Sequence, residues 1–233
     1  MVRTMMRALS ILSLLFCVSL LLPLPVWAGH RGDSVSFTTE DGVTLRGHPF
    51  GTGDRVVILA HMFPTDQTSW FPFARTLAER GFQALTFDFR GYGESGGSKE
   101  VALIDRDVRA AVEFVKREGA KGVFLIGASM GGTASLKVAA AGGVDGVASL
   151  SGPSEWRGLS VEGEISKIRV PTLFIASEDD SFTRGVREQH QKTRAPKQLK
   201  VFPGDAHGTF LFHSPHKAAV EKILLDFLAE RTK

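Results

Sequence analysis

The chain has 233 residues, 43% of them hydrophobic, 9% aromatic and 23% charged. That balance excludes a disordered tail, a collagen-like fibre and a protein of many membrane spans. Its 28 basic and 25 acidic residues leave a net charge of +3 with no basic block, which argues against a nucleic-acid partner.

The first 28 residues differ in kind from the rest. Arg3 and Arg7 stand near the start, and no acidic residue precedes Asp33. Ala8 to Leu22 is almost wholly apolar, and Pro23, Pro25 and the small residues Ala28-Gly29 follow. A positive start, an apolar middle and a small-residue site predict a secretory signal over 1–28, cleaved after Ala28. The alternative is a retained anchor, but the apolar run is short for a stable span and is broken by prolines. Phe16 before Cys17 argues against a lipoprotein site. Cys17 is the only cysteine and leaves with the signal, so the domain predicted over 29–233 has neither disulfide nor thiol nucleophile. A secreted or periplasmic protein with no stable membrane insertion after cleavage is the expectation.

From there strands and helices alternate. Residues 34–39 and 43–49 flank Asp41-Gly42, which signals a hairpin. Arg55 to His61 carries a continuous apolar run, as a strand covered on both faces does. A helix is predicted over 69–80, a strand over 82–89, and an amphipathic helix over 100–118 with Val101, Ile104, Val108, Ala111, Val112 and Val115 on one stripe. A strand over 123–126, an Ala-rich helix over 130–141, and strands over 144–150 and 170–176 follow. A helix over 182–194, a strand over 198–202 and a terminal helix opened by Ser214-Pro215 complete the chain. This pattern predicts an α/β fold: a mostly parallel twisted sheet of about eight strands with an antiparallel edge hairpin, and helices on both faces. In such sheets chemistry gathers at the carboxyl ends of the strands.

Ser129 is the candidate nucleophile. It lies in Gly127-Ala128-Ser129-Met130-Gly131, with a buried strand running into it and a helix leaving it at once. So sharp a turn needs small neighbours, which Gly127 and Gly131 supply. It also sets the Met130 amide at a helix N-terminus, where a developing oxyanion is stabilised. A serine hydroxyl needs a base. His207, between Gly204 and Gly208 just after the last strand, is best placed among the histidines. His30, His48 and His190 read as surface or packing residues, and His213 and His216 as solvated; with His207 the last two do not make a good metal site. The base needs a carboxylate partner. The strand over 170–176 runs into Ser177-Glu178-Asp179-Asp180; Asp179 is the first choice and Asp180 the runner-up. The order Ser129, Asp179, His207 is that of the nucleophile-elbow hydrolases.

On these residues the sequence resembles the α/β-hydrolase family over about 34–230, as a small serine hydrolase without a cap. Leu59-Ala60-His61-Met62-Phe63-Pro64 is similar to the family's His-Gly stretch after the third strand, and Asp88-Phe89-Arg90-Gly91-Tyr92-Gly93-Glu94-Ser95 to its Asp-x-Arg-Gly-x-Gly-x-Ser turn. In the family the acid stands three residues after a small residue and three before an apolar one, a frame that Ala176 and Phe182 make around Asp179. The resemblance implies an oxyanion hole from the amides of Phe63 and Met130. Met62 stands where glycine is usual, so Met62 is the alternative donor. It also implies that His61 orders its loop and that Asp88 and Arg90 are structural.

The resemblance implies hydrolysis of a carboxylic ester in a small molecule, with no cofactor or metal. Thioesterase, lactonase and small-peptide hydrolase use the same triad, and a non-catalytic binding protein on the same fold is the reading from another class. Haloalkane and epoxide opening are disfavoured, because relatives doing that place an aspartate at position 129. Only about 16 residues separate Pro153 from Val170, too few for a lid, so the site is expected to be open. Trp156, Phe63, Trp70, Phe182 and Phe210 are candidates for its rim, each with a core position as the alternative.

Overall fold

The computed structural model describes residues 34–230. The signal predicted over 1–28 and His30 lie outside them. Ten strands and five α-helices alternate: β1 (Val35–Thr38), β2 (Thr44–Phe50), β3 (Arg55–Ala60), α1 (Phe71–Glu79), β4 (Gln83–Phe87), α2 (Ile104–Arg117), β5 (Gly122–Ala128), α3 (Met130–Ala141), β6 (Gly146–Leu150), β7 (Glu155–Trp156), β8 (Leu159–Ser160), β9 (Thr172–Ser177), α4 (Thr183–Lys192), β10 (Lys197–Phe202) and α5 (Lys217–Ala229). Eight strands form one sheet in the order β1-β2-β4-β3-β5-β6-β9-β10. β1 and β2 pair antiparallel, β2 meets β4 antiparallel, and every later pairing in that sheet is parallel.

Burial follows from that order. The central strands β4, β6 and β9 are buried along their whole length, because helices cover both faces. One apolar cluster joins the sheet to α2 and α3, the other to α1 and α5. The stripe predicted on α2 is buried, with Val108, Ala111, Val112 and Val115 against the sheet. Differences from the sequence reading are local. β5 runs on to Ala128, beyond the apolar run, because Gly127 and Ala128 are small and not hydrophobic enough to extend the signal. α1 starts at Phe71, after a 3-10 turn over Gln67–Trp70 capped by the Asp66 carboxylate. A second 3-10 turn, Gly208–His213, separates His207 from α5. The short connection after β6 folds as the hairpin β7–β8, turned by Arg157 and Gly158 at φ +50° and +85°.

Buried polar groups tie down the loops at the carboxyl edge. His61 is fully buried. Its Nε2 accepts the Phe89 N–H at 3.1 Å, so its Nδ1–H donates to the Met62 carbonyl at 3.0 Å. The loop after β3 is thereby fastened to the loop after β4. The Asp88 carboxylate accepts from the backbone and side chain of Gln67, at 2.9 and 2.8 Å, and from the Glu94 N–H at 3.0 Å. Gly93 is pressed against that carboxylate; a Cβ there would lie 2.1 Å from Oδ2. Arg90, also buried, pairs Asp41 on one side and Asp107 on the other, at 2.8 and 2.7 Å. The hydrogen bonds from Arg90 hold Asp41 well below the usual carboxylate range. The structural roles expected for His61, Asp88 and Arg90 agree with these partners.

Two consequences are measurable. Arg90→Met strands the fully buried Asp107 carboxylate and is expected to cost about 3–5 kcal/mol in urea unfolding; a loss below about 1 kcal/mol would show that the trio does not anchor the turn. Burial lowers the His61 pKa from 6.5 to about 4. Between those values only the unfolded chain takes up the proton. Stability attributable to this ring is therefore complete above pH 6.5 and falls as the pH drops towards 4, by on the order of 3 kcal/mol. The stability gap between the native protein and His61→Gln should narrow by that amount from pH 7 to 4; parallel curves would refute the assignment.

Candidate active site

Ser129 stands between β5 and α3 at φ +50° and ψ −121°, a conformation unfavourable for any residue with a Cβ. Its surroundings over-determine it. Its N–H donates to the Leu150 carbonyl of β6 at 2.8 Å, and its carbonyl accepts the Thr133 N–H at 3.1 Å, the first bond of α3. A Cβ on Gly127 would meet the Gly131 carbonyl at 2.2 Å. A Cβ on Gly131 would meet the Ala60 and His61 carbonyls at 2.4 and 2.5 Å. Both glycines are therefore needed for space, as the sequence reading expects. Gly131 also sets the start of α3 against the end of β3, where the loop bearing Met62 and Phe63 departs.

His207 lies on the loop after β10. Its Nδ1 is 2.9 Å from Oδ2 of Asp180, not from Asp179. This corrects the first choice of acid. β9 runs one residue further than its hydropathy signal, through Ser177, so the frame for the acid slides by one. Glu178 and Asp179 spend their backbone N–H groups on the Phe202 and Gly204 carbonyls and expose their side chains, while a turn closed from Asp180 N–H to the Ser177 carbonyl swings Asp180 inward. Burial of Asp180 raises its pKa, but the hydrogen bonds from His207 and the Phe182 N–H, together with the nearby Ser151 hydroxyl, outweigh that, and the net shift is downward. The Ser151 hydroxyl faces this carboxylate without reaching strict hydrogen-bond geometry.

The His207 loop is held on two sides. Ser177 Oγ donates to the Ala206 carbonyl at 2.7 Å, beside the acid. On the other side Gly208 packs against Ala128 and the Met62 sulfur, which also accepts from the N–H and hydroxyl of Thr209, both at 3.4 Å. Ala128 and Gly208 adjoin Ser129 and His207, so this contact brings the hydroxyl and the imidazole to the same edge. The Ser129 hydroxyl and His207 Nε2 form no hydrogen bond with each other here, and with Nδ1 engaged by Asp180, Nε2 is the nitrogen left available.

Met130 begins α3, so its N–H has no partner within the helix. The Met62 carbonyl is turned into its own loop, accepting from His61 and from the Thr65 hydroxyl. In a trans peptide the next N–H points the opposite way, so the Phe63 N–H faces out of the loop, and it has no partner among the described residues. Met62 fills a buried slot and binds the His207 loop through its sulfur.

The remaining expectations divide. His48 meets the Gln67 side chain, His190 packs on Phe174 and His216 stacks on Phe202. Phe63 and Trp156 lie 5.3 Å apart, Phe182 is 5.2 Å from the His207 ring, and Phe210 is 53% exposed, so four of the rim aromatics are at or near the surface of this edge. Trp70 is not: it is fully buried between Phe73 and Phe212 in the α1–α5 layer. Ser151, Arg157 and the Met62 sulfur were not foreseen as site residues. Ser151 had a signal, its place at the end of a strand neighbouring β9; the others acquire their neighbours only through the hairpin and the loop packing.

Known proteins are similar to parts of this chain. The family described as alpha/beta hydrolase fold matches residues 55–159. The uncharacterized protein YfhR of Escherichia coli (strain K12) is 31% identical over 125 residues, 49% of this chain and 44% of that protein. Bifunctional epoxide hydrolase 2 of Sus scrofa is 34% identical over 95 residues, 40% of this chain and 17% of that protein. The chain thus spans less than half the length of these curated relatives. Among solved structures, the Pyrococcus furiosus esterase Pf2001 superposes with a TM-score of 0.74 at 21% identity, covering 86% of this chain and 90% of that one. Sheet order, strained serine turn and family match agree on an alpha/beta hydrolase fold for this chain.

Proposed function

We propose that this protein is an exported serine hydrolase that cleaves a carboxylic ester of a small molecule through an acyl-enzyme on Ser129. The observation that carries the reading is the His207–Asp180 pair, held by its packing at the same strand edge as the strained Ser129 turn. Ser129 Oγ attacks the ester carbon while His207 Nε2 takes its proton. The negative charge that gathers on the carbonyl oxygen is met by the N–H groups of Met130 and Phe63. As the tetrahedral species collapses, His207 returns the proton to the departing alcohol. Water then attacks the acyl-enzyme with His207 again as base, and Ser129 is regenerated. Asp180 keeps the His207 proton on Nδ1 and stabilises the imidazolium. Export rests on the predicted signal over 1–28. Epoxide opening through an ester intermediate requires a carboxylate at the elbow, where this chain has Ser129.

Ser129→Ala should abolish turnover of a short-chain nitrophenyl ester and covalent labelling by a fluorophosphonate. A folded native protein that is never labelled would instead favour a non-catalytic binding role. The acid assignment has its own test. Asp180→Asn should lower kcat by about 10³–10⁴-fold, whereas Asp179→Asn, at a solvated side chain, should leave it within about threefold. The reverse ranking would restore Asp179.

A further inference from the structure

The β7–β8 hairpin carries a guanidinium with no counter-ion beside the reacting edge. Arg157 lies with its Cζ 4.9 Å from the Phe63 ring centre and 4.5 Å from that of Trp156. Two aromatic faces hold the planar group, yet among the described residues its N–H edges have no carboxylate and no hydrogen bond. The backbone at Arg157 is left-handed, φ +50°, the first central position of a turn where asparagine, aspartate or glycine is usual. An arginine there is held against local preference. Glu155 of the same hairpin is engaged elsewhere, accepting the Gly158 N–H at 2.9 Å. The hairpin tip rests on Ala102, 3.1 Å from where a Gly158 Cβ would be. A few residues before Ala102, Lys99 sits 4.6 Å over the Tyr92 ring and has no ion-pair partner among the described residues; Glu100 takes the Ser98 hydroxyl instead. The charge of Arg157 reaches the same Tyr92. One unpaired cation, Arg157, thus lies on the ring of Phe63, the residue whose N–H is assigned to the oxyanion, and a second, Lys99, lies on the neighbouring Tyr92.

We propose that Arg157, with Lys99 as the weaker partner, recognises a carboxylate on the substrate, so that the preferred substrates are esters bearing a free acid group. This rests on the hydrolase reading above. The stacked guanidinium presents its edge in a fixed plane, as bidentate binding of a carboxylate requires, and Phe63 sets the distance between that anion and the reacting carbonyl.

The test compares matched esters on the full-length protein. For a carboxylate on the acyl side, the para-nitrophenyl half-ester of adipic acid is set against para-nitrophenyl hexanoate; for one on the alcohol side, para-carboxyphenyl butyrate against phenyl butyrate. In at least one pair the acid should have the higher kcat/KM by about tenfold or more, and the pair showing it identifies the side. Arg157→Met, which keeps a stem to pack on the rings, should lower that acid-to-neutral ratio by about tenfold, mainly through KM; Arg157→Lys should fall between. Raising salt with the native protein should lower the same ratio, a readout that needs no variant. Turnover of all four esters with no acid preference, or with a preference that Arg157→Met leaves unchanged, overturns this inference alone. No turnover together with no fluorophosphonate labelling overturns the hydrolase reading and this inference with it.

Discussion

The site depends on one steric constraint, the close approach of α3 to the end of β3. Gly131 has backbone carbonyls where a Cβ would need to be, and Gly127 has Gly131. Because no side chain intervenes, a helix N-terminus and a neighbouring strand's exit loop can lie against the same serine. The strain at Ser129, on the order of 1–3 kcal/mol, persists because the strand before it, the helix after it and β6 beside it each fix part of its backbone. The hydroxyl's exposure at a sheet edge is thus a property of the whole parallel core, not of the five-residue motif.

The His207 side of this edge is built by zipping. The backbone N–H groups of Glu178 and Asp179 pair with the loop after β10, and Ser177 adds a side-chain bond to Ala206. Asp180 and His207 are thus carried by two loops that are hydrogen-bonded to each other. Met62 fastens that unit to the opposite loop through its sulfur, a soft acceptor able to serve two donors at once. Buried His61 then anchors Met62 in turn. From His61 to His207 the contacts are continuous, and they join the loop after β3 to the loop after β10.

The fold was legible in the sequence because its signals are strong and local. Continuous apolar runs mark strands buried on both faces, and the period of α2 is clean. The placement of Ser129 and His207 at the carboxyl edge was legible for the same reason, each following a strand and flanked by glycines. The acid was not. Hydropathy ends the strand at Ala176, since Ser177 is polar; its hydroxyl is satisfied by Ala206, a partner 29 residues on in the chain that no local pattern reveals. One residue of strand length decides which of two adjacent aspartates turns inward. Trp70 was open to two readings because an aromatic run fits a rim or a core equally well, and only the docking of α5 decides it. The hairpin after β6 was missed because strands of two residues carry no period.

That connection is anchored firmly where it leaves the sheet. Ser151 N–H binds the Ile175 carbonyl, the Thr133 hydroxyl binds the Pro153 carbonyl, and Gln189 binds the Gly152 carbonyl. Beyond these ties it is a small appendage turned by Arg157 and Gly158. Extra residues inserted at that tip would add only the slowly growing entropy of a longer loop and would leave the anchors untouched. The molecule therefore has a place where insertions can accumulate and raise a cover over the Ser129–His207 edge, one at a time, without disturbing the sheet beneath.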